Sequence, residues 1–169
     1  RPKAPPAPKT EPTSQVIHQG IYTTREAFDA VDKIPLSEVY FIEKGQLLVD
    51  RFTGRTTRVT YDQTGNVTSQ ITKLGILTTL EDFEAAKTIL REAYFENGRI
   101  VRSVAEDGTV TTFSYDDTAK KYTITSGTTV QTLGYGPDGQ PGTEDDKLLE
   151  VSTTNAAGDS ITQELNAQG

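Results

Sequence analysis

The chain has 169 residues, a net charge of −7 and a pI near 4.8, with 34% hydrophobic residues and a mean hydropathy of −0.50. That length suits one good core or two small ones. The acidic balance argues against the basic footprint that nucleic acid or an anionic membrane requires, and the lack of cysteine excludes disulfides, zinc thiolates and a thiol nucleophile.

Residues 1–19 are Pro-rich and polar. Proline fixes φ and removes the N–H donor, which predicts a polyproline-like or disordered spacer that becomes ordered by docking on its own domain or on another subunit. The chain begins at Arg1 and contains no methionine. It therefore reads as a processed or trimmed product, and its composition fits a mature exported protein whose signal peptide is gone. No apolar run approaches the roughly 18 residues of a membrane span. His18, the only histidine, reads as a surface residue beside the tail.

An internal repeat follows. Gly20-Ile21-Tyr22-Thr23-Thr24 and the residues to Ala30 match Gly75-Ile76-Leu77-Thr78-Thr79 and the residues to Ala85, an offset of 55 (20 to 75). Val39-Tyr40-Phe41 matches Ala93-Tyr94-Phe95, Gly54 matches Gly108, and Val59-Thr60-Tyr61-Asp62 matches Phe113-Ser114-Tyr115-Asp116, each at an offset of 54. Glycines and aromatics recurring in step over some forty positions indicate a duplication.

Each unit opens on capping-box spacing, Thr23 with Glu26 and Thr78 with Glu81. Apolar residues then recur at helical spacing: Ala27, Phe28, Val31 and Ile34 in the first unit, and Phe83, Ala86, Ile89 and Leu90 in the second. Helices are predicted near 24–33, cut by Pro35, and 79–91. Strands are predicted at 38–42, 46–52, 56–62 and 66–73, then at 93–96, 99–105, 109–115 and 121–126. Their turns fall at Lys44-Gly45, Thr53-Gly54, Asn97-Gly98 and Asp107-Gly108. Further strands are predicted at 129–133, 148–154 and 160–165. The expected fold is α+β and β-rich: two tandem helix-plus-antiparallel-meander repeats followed by a C-terminal hairpin region. The boundaries are a tail over 1–19, repeat units over 20–74 and 75–127, and a strand region with an acidic loop over 128–169.

The segment Tyr94-Phe95-Glu96-Asn97-Gly98-Arg99, continuing through Asp107-Gly108 to Tyr115-Asp116, resembles the Tyr-Asp (YD/RHS) repeats of bacterial surface and toxin proteins. In that family a Gly-Arg turn, an Asp-Gly turn and a closing Tyr-Asp mark successive hairpins. The resemblance covers about a third of the chain, and the helix is not part of the family pattern. It implies a bacterial surface setting.

The stretch Gly134–Asp146 holds four glycines, two prolines and four acidic residues, namely Asp138, Glu144, Asp145 and Asp146. Hard cations take oxygens from carboxylates and backbone carbonyls, and glycine lets the backbone turn those carbonyls inward. The spacing is not that of an EF-hand. Leu133-Gly-Tyr-Gly136-Pro-Asp138-Gly139-Gln-Pro-Gly142 is similar to the calcium loop of the major pseudopilins of type II secretion and to loops of other bacterial surface proteins. That resemblance implies side-chain ligands at Asp138, Asp145 and Asp146 and a carbonyl ligand at Leu133. The long apolar helix of pilins has no counterpart in this sequence. A solvated acidic turn is the alternative, and either role is structural.

One histidine and no cysteine leave the common nucleophile–base pairs little to work with. The seven tyrosines read as cross-strand packing. Asn66-Val67-Thr68 fits a glycosylation acceptor only in a eukaryotic secretory pathway. The expected function is therefore non-enzymatic: a secreted, cell-surface or periplasmic structural or interaction protein. It would be a calcium-stabilised subunit of a surface assembly or filament, with other protein subunits as partners through its tail or strand edges. The alternatives are a monomeric glycan- or peptide-binding module and, last, a carboxylate-based hydrolase.

Overall fold

The computed structural model describes residues 14–17, 21, 23–31 and 37–165. Its first half comprises β1 (Ser14–Ile17), α1 (Arg25–Asp29), β2 (Ser37–Ile42), β3 (Gly45–Asp50), β4 (Arg55–Tyr61), β5 (Val67–Leu74) and α2 (Leu80–Ala85). The second half comprises β6 (Ile89–Glu96), β7 (Arg99–Val104), β8 (Val110–Asp116), β9 (Lys121–Ser126), β10 (Thr129–Gly134), β11 (Lys147–Thr154) and β12 (Ser160–Glu164). All twelve strands form one antiparallel sheet in sequential order, with β1 and β12 at its edges.

Turn chemistry explains this meander. Asn97 and Gly98 both take positive φ, 49° and 76°, the twist that closes a two-residue hairpin between β6 and β7. Asp62 and Asp116 close equivalent turns in the two halves. Asp62 Oδ1 accepts from the Thr64 and Asn66 N–H groups, and Asp116 Oδ1 accepts from those of Thr118 and Ala119. Another contact recurs at the same offset: Tyr40 donates to Glu38, and Tyr94 donates to Glu92, each at 2.8 Å.

Among the described residues, the substantial contacts between elements all join neighbouring strands, so the sheet is a single layer rather than a sandwich. The connection from β5 to β6, which contains α2, lies on one face. Thr56 is fully buried there; its hydroxyl donates to the Gly75 carbonyl and accepts from the Leu77 N–H. Lys73 Nζ donates to the carbonyls of Phe83 and Ala86 and stands 4.7 Å from the Phe83 ring centroid. Pairing places Glu38, Val49, Thr56 and Lys73 side by side, with Leu47 opposite Tyr40, so the buried Leu47, Val49 and Glu38 share this helix face. Glu38 accepts from Arg51, which offsets the cost of burying a carboxylate. Val59, Ala93 and Tyr122 are buried on the opposite face.

The α+β expectation is overturned. The two helices have five and six residues, and the molecule is essentially all-β. Helices this short have almost no stability of their own. After α2, Ala86 turns extended (φ −67°, ψ 130°) and Ile89 begins β6. The apolar residues Ile89 and Leu90, read as a helical stripe, begin β6 instead: Ile89 pairs with Lys73 of β5, Leu90 falls at a bulge, and from Glu92 on the strand pairs on both sides. There its N–H and C=O groups find ladder partners. The caps also fall one residue later than the capping-box spacing suggests. Thr24 accepts from the Ala27 N–H and Thr79 from the Asp82 N–H, so Glu26 and Glu81 sit one position short of the reciprocal place.

The expected spacer contains a strand. Ser14–Ile17 carries no proline and pairs in cis with β2 as β1. The rest of the 1–19 tail, with His18, lies outside the described residues, as do Tyr22, Ile34 and Pro35.

Candidate metal centre

The acidic loop joins β10 to β11 and folds onto the face opposite α2, where Tyr122 projects. Asp138, Asp145 and Asp146 converge there. Each offers a carboxylate oxygen, and these oxygens lie within 4.8 Å of one another, an arrangement that could hold a metal ion. Glu144 is exposed and stays outside this group. Leu133 lies just past a β-bulge near the end of β10, paired with Tyr122 on one side and with Leu148 on the other.

Glycine makes the convergence possible. A Cβ at Gly136 would run into the Asp145 carboxylate. Gly139 and Gly142 take φ of 68° and 81°, which L side chains rarely adopt. The loop's own donors then converge on the carboxylates. Asp146 accepts from the N–H groups of Gly136 (3.1 Å), Gly142 (2.5 Å) and Thr143 (3.2 Å) and from the Tyr122 hydroxyl (2.8 Å). Asp145 accepts from the Thr143 hydroxyl (2.5 Å) and the Asp138 N–H (3.1 Å). Asp138 Oδ1 accepts from the Gln140 N–H at 2.8 Å.

These bonds favour the charged forms of Asp145 and Asp146. The Thr143 hydroxyl and the Asp138 N–H hold Asp145 below the ordinary carboxylate range. Burial opposes ionisation of Asp146, but the Tyr122 hydroxyl and three N–H donors outweigh it and its pKa is also lowered. Conversely, burial and the bond to Asp146 push the Tyr122 hydroxyl up to about 12. The three carboxylates, with Asp138 Oδ2 free of a donor among the described residues, form an all-oxygen set suited to a hard cation.

Tyrosines support the loop from below. Tyr122 stacks on Tyr115, with centroids 5.8 Å apart, and meets Tyr135 at 6.0 Å. Tyr135 donates to Asp117, which also pairs with Arg99 at 2.9 Å, and the Arg99 guanidinium lies 5.1 Å from the Tyr115 ring. The Arg99 and Tyr135 bonds hold Asp117 below its usual range. Sequence reasoning missed this support. Tyr122 lies 24 residues from Asp146, and the only sequence signal was its alternation onto the face that carries Tyr115.

Elsewhere, Phe41, Lys44, Gln46, Tyr61, Asp62 and Gln63 line a groove of about 740 Å³ where β2, β3 and β4 end or begin.

Comparison with protein-family models, with curated proteins and with solved structures yields no match.

Proposed function

We propose that this chain is a non-enzymatic structural or interaction module, exported or displayed at a cell surface, that associates with other protein subunits through its sheet edges. The observation that carries this reading is the open single-layer meander, in which neither β1 nor β12 has an outer partner among the described residues. An unpaired edge presents a row of free N–H and C=O groups, a template for another strand. The cis pairing of Ser14–Ile17 removes support for that part of the tail as a free docking arm and makes it an edge instead. The YD-like hairpins are consistent with a surface setting.

In this reading calcium binds Asp138, Asp145 and Asp146, with the Leu133 carbonyl as a further ligand, and pins the loop against Tyr122. Its role is structural: ordering a loop costs conformational entropy, and a cation offsets mutual repulsion of three carboxylates.

Two measurements test the proposal. Light scattering across a concentration series, with electron microscopy, should show particles larger than one chain; a monomer at all concentrations refutes self-association. Thermal melting with millimolar calcium against excess EGTA should show stabilisation by calcium, and coincident curves refute the metal role.

The groove around Tyr61 favours a second reading, a glycan- or peptide-binding module, because aromatic side chains and amides line it together. Loss of binding to a glycan or peptide panel in a Tyr61→Ala variant would support it, and absence of binding by the unaltered chain would dismiss it.

A further inference from the structure

We infer that copies of this chain join head to tail, the β12 edge of one copy pairing antiparallel with the β1 edge of the next in one defined register. The inference rests on the reading of the chain as a self-associating subunit and names the contact. Twelve strands in sequential antiparallel order leave β1 and β12 running in opposite directions. A second copy advanced across the sheet therefore presents an antiparallel partner and continues the alternation. An odd number of strands would have forced a parallel junction.

The faces agree as well. Ile17 shares its face with Gln15, which lies opposite Val39 and hence in line with Leu48, Thr57 and Thr72. Thr72 shares its face with Gln70, and so with Ala93, Ser103 and Thr111. The same line runs on through Ser126, Thr129 and Thr153 to Ile161. Ile17 and Ile161 thus lie on one face, 54% and 78% exposed.

Setting these two residues opposite each other pairs all of β1. Val16 meets Thr162, Gln15 meets Gln163, and the Ser14 hydroxyl meets the Glu164 carboxylate. Apolar, β-branched, amide and hydroxyl–carboxylate pairs are each favourable across an antiparallel junction. Neither edge strand contains Lys, Arg or Pro, the residues that commonly keep edges apart. With four and five residues the strands are short, so the junction is reversible and concentration-dependent.

The absence of cysteine permits a direct test. Ile17→Cys and Ile161→Cys variants are prepared separately, mixed in equal amounts and oxidised at a concentration where scattering shows association. Cross-strand pairs meet the spacing a disulfide needs. The expected product is a disulfide between the two different variants, and the double variant should give a ladder of multimers. Homodimers of Ile161→Cys alone would show β12 pairing with itself and overturn the inference. Absence of any cross-link in a solution that still scatters as an assembly would also overturn it, while leaving self-association standing. Scattering as a monomer throughout would remove both. Independently, Ile161→Lys should raise the association midpoint by roughly tenfold or more in concentration. It should leave monomer melting unchanged, since the side chain is exposed; an unaltered midpoint would count against the junction.

Discussion

Replacing Tyr122 with Phe isolates the bond that ties the acidic loop to the sheet. The ring stays, with its stacking on Tyr115, and only the hydroxyl that donates to Asp146 is lost. A hydrogen bond to a charged group contributes about 1.5–3 kcal/mol. Asp146 keeps the N–H groups of Gly136, Gly142 and Thr143, so its carboxylate is not orphaned and the lower part of that range applies. The Tyr122 pKa, pushed up to about 12, points the same way: burial is its first cause and the bond to Asp146 its second. The expected loss is about 1.5–2 kcal/mol, or about 3–8 °C in melting temperature for a chain of this size.

The assay is thermal melting of both proteins by circular dichroism, with amide exchange at Gly136, Gly142 and Thr143 as the local readout. The sign with pH follows from the raised pKa. The contribution is complete below the unfolded value near 10 and disappears as pH rises through about 12. The difference between the two proteins should therefore be constant from pH 7 to 9 and shrink above 10. A shift below about 1 °C at pH 7, with unchanged exchange in the loop, would refute the idea that Tyr122 anchors the loop.

Gly136→Ala forces a Cβ into the Asp145 carboxylate; we expect a loss of about 1–3 kcal/mol, read by melting, together with a weaker response to calcium. Thr56→Val leaves the Gly75 carbonyl and the Leu77 N–H unsatisfied at a fully buried site, and about 2 kcal/mol should be lost in denaturant unfolding. Phe83→Ala removes a ring that is 2% exposed and seats α2 over Lys73; a loss of about 3–5 kcal/mol is expected, with early amide exchange in the segment from Gly75 to Ala86. Acid should loosen the loop. Asp145 and Asp146 have lowered folded pKa values, so their contribution is full above the ordinary carboxylate value of 3.8 and falls as pH drops through the folded values. Protection of the Gly142 and Thr143 amides, taken relative to intrinsic exchange at each pH, should fall below pH 4, and a fall that begins near pH 6 would contradict this assignment.

The strands were legible because their punctuation is local. Asn97-Gly98, Asp107-Gly108 and the Asp62 and Asp116 turns stop a strand through their own φ preferences and side-chain bonds, within a few residues. The carboxylates of the loop were legible for the same reason, since glycine and aspartate spacing is visible in a short window. The helices were misjudged because apolar spacing over a short segment suits either a helical stripe or a two-sided strand. Ile89 and Leu90 carry no local mark that distinguishes the two. β1 was hidden by the proline content of its neighbours.

By itself, the sequence determined where the chain turns, that it repeats, that it is acidic and cysteine-free, and which carboxylates can meet. Each depends on residues close together in the chain or on bulk composition. Only the tertiary structure decided that the sheet stays open and single-layered, that α2 covers one face while the acidic loop covers the other, and that Tyr122 anchors Asp146. Those outcomes depend on which strands become neighbours and on which face each side chain falls. Register, accumulated pair by pair across twelve strands, sets both.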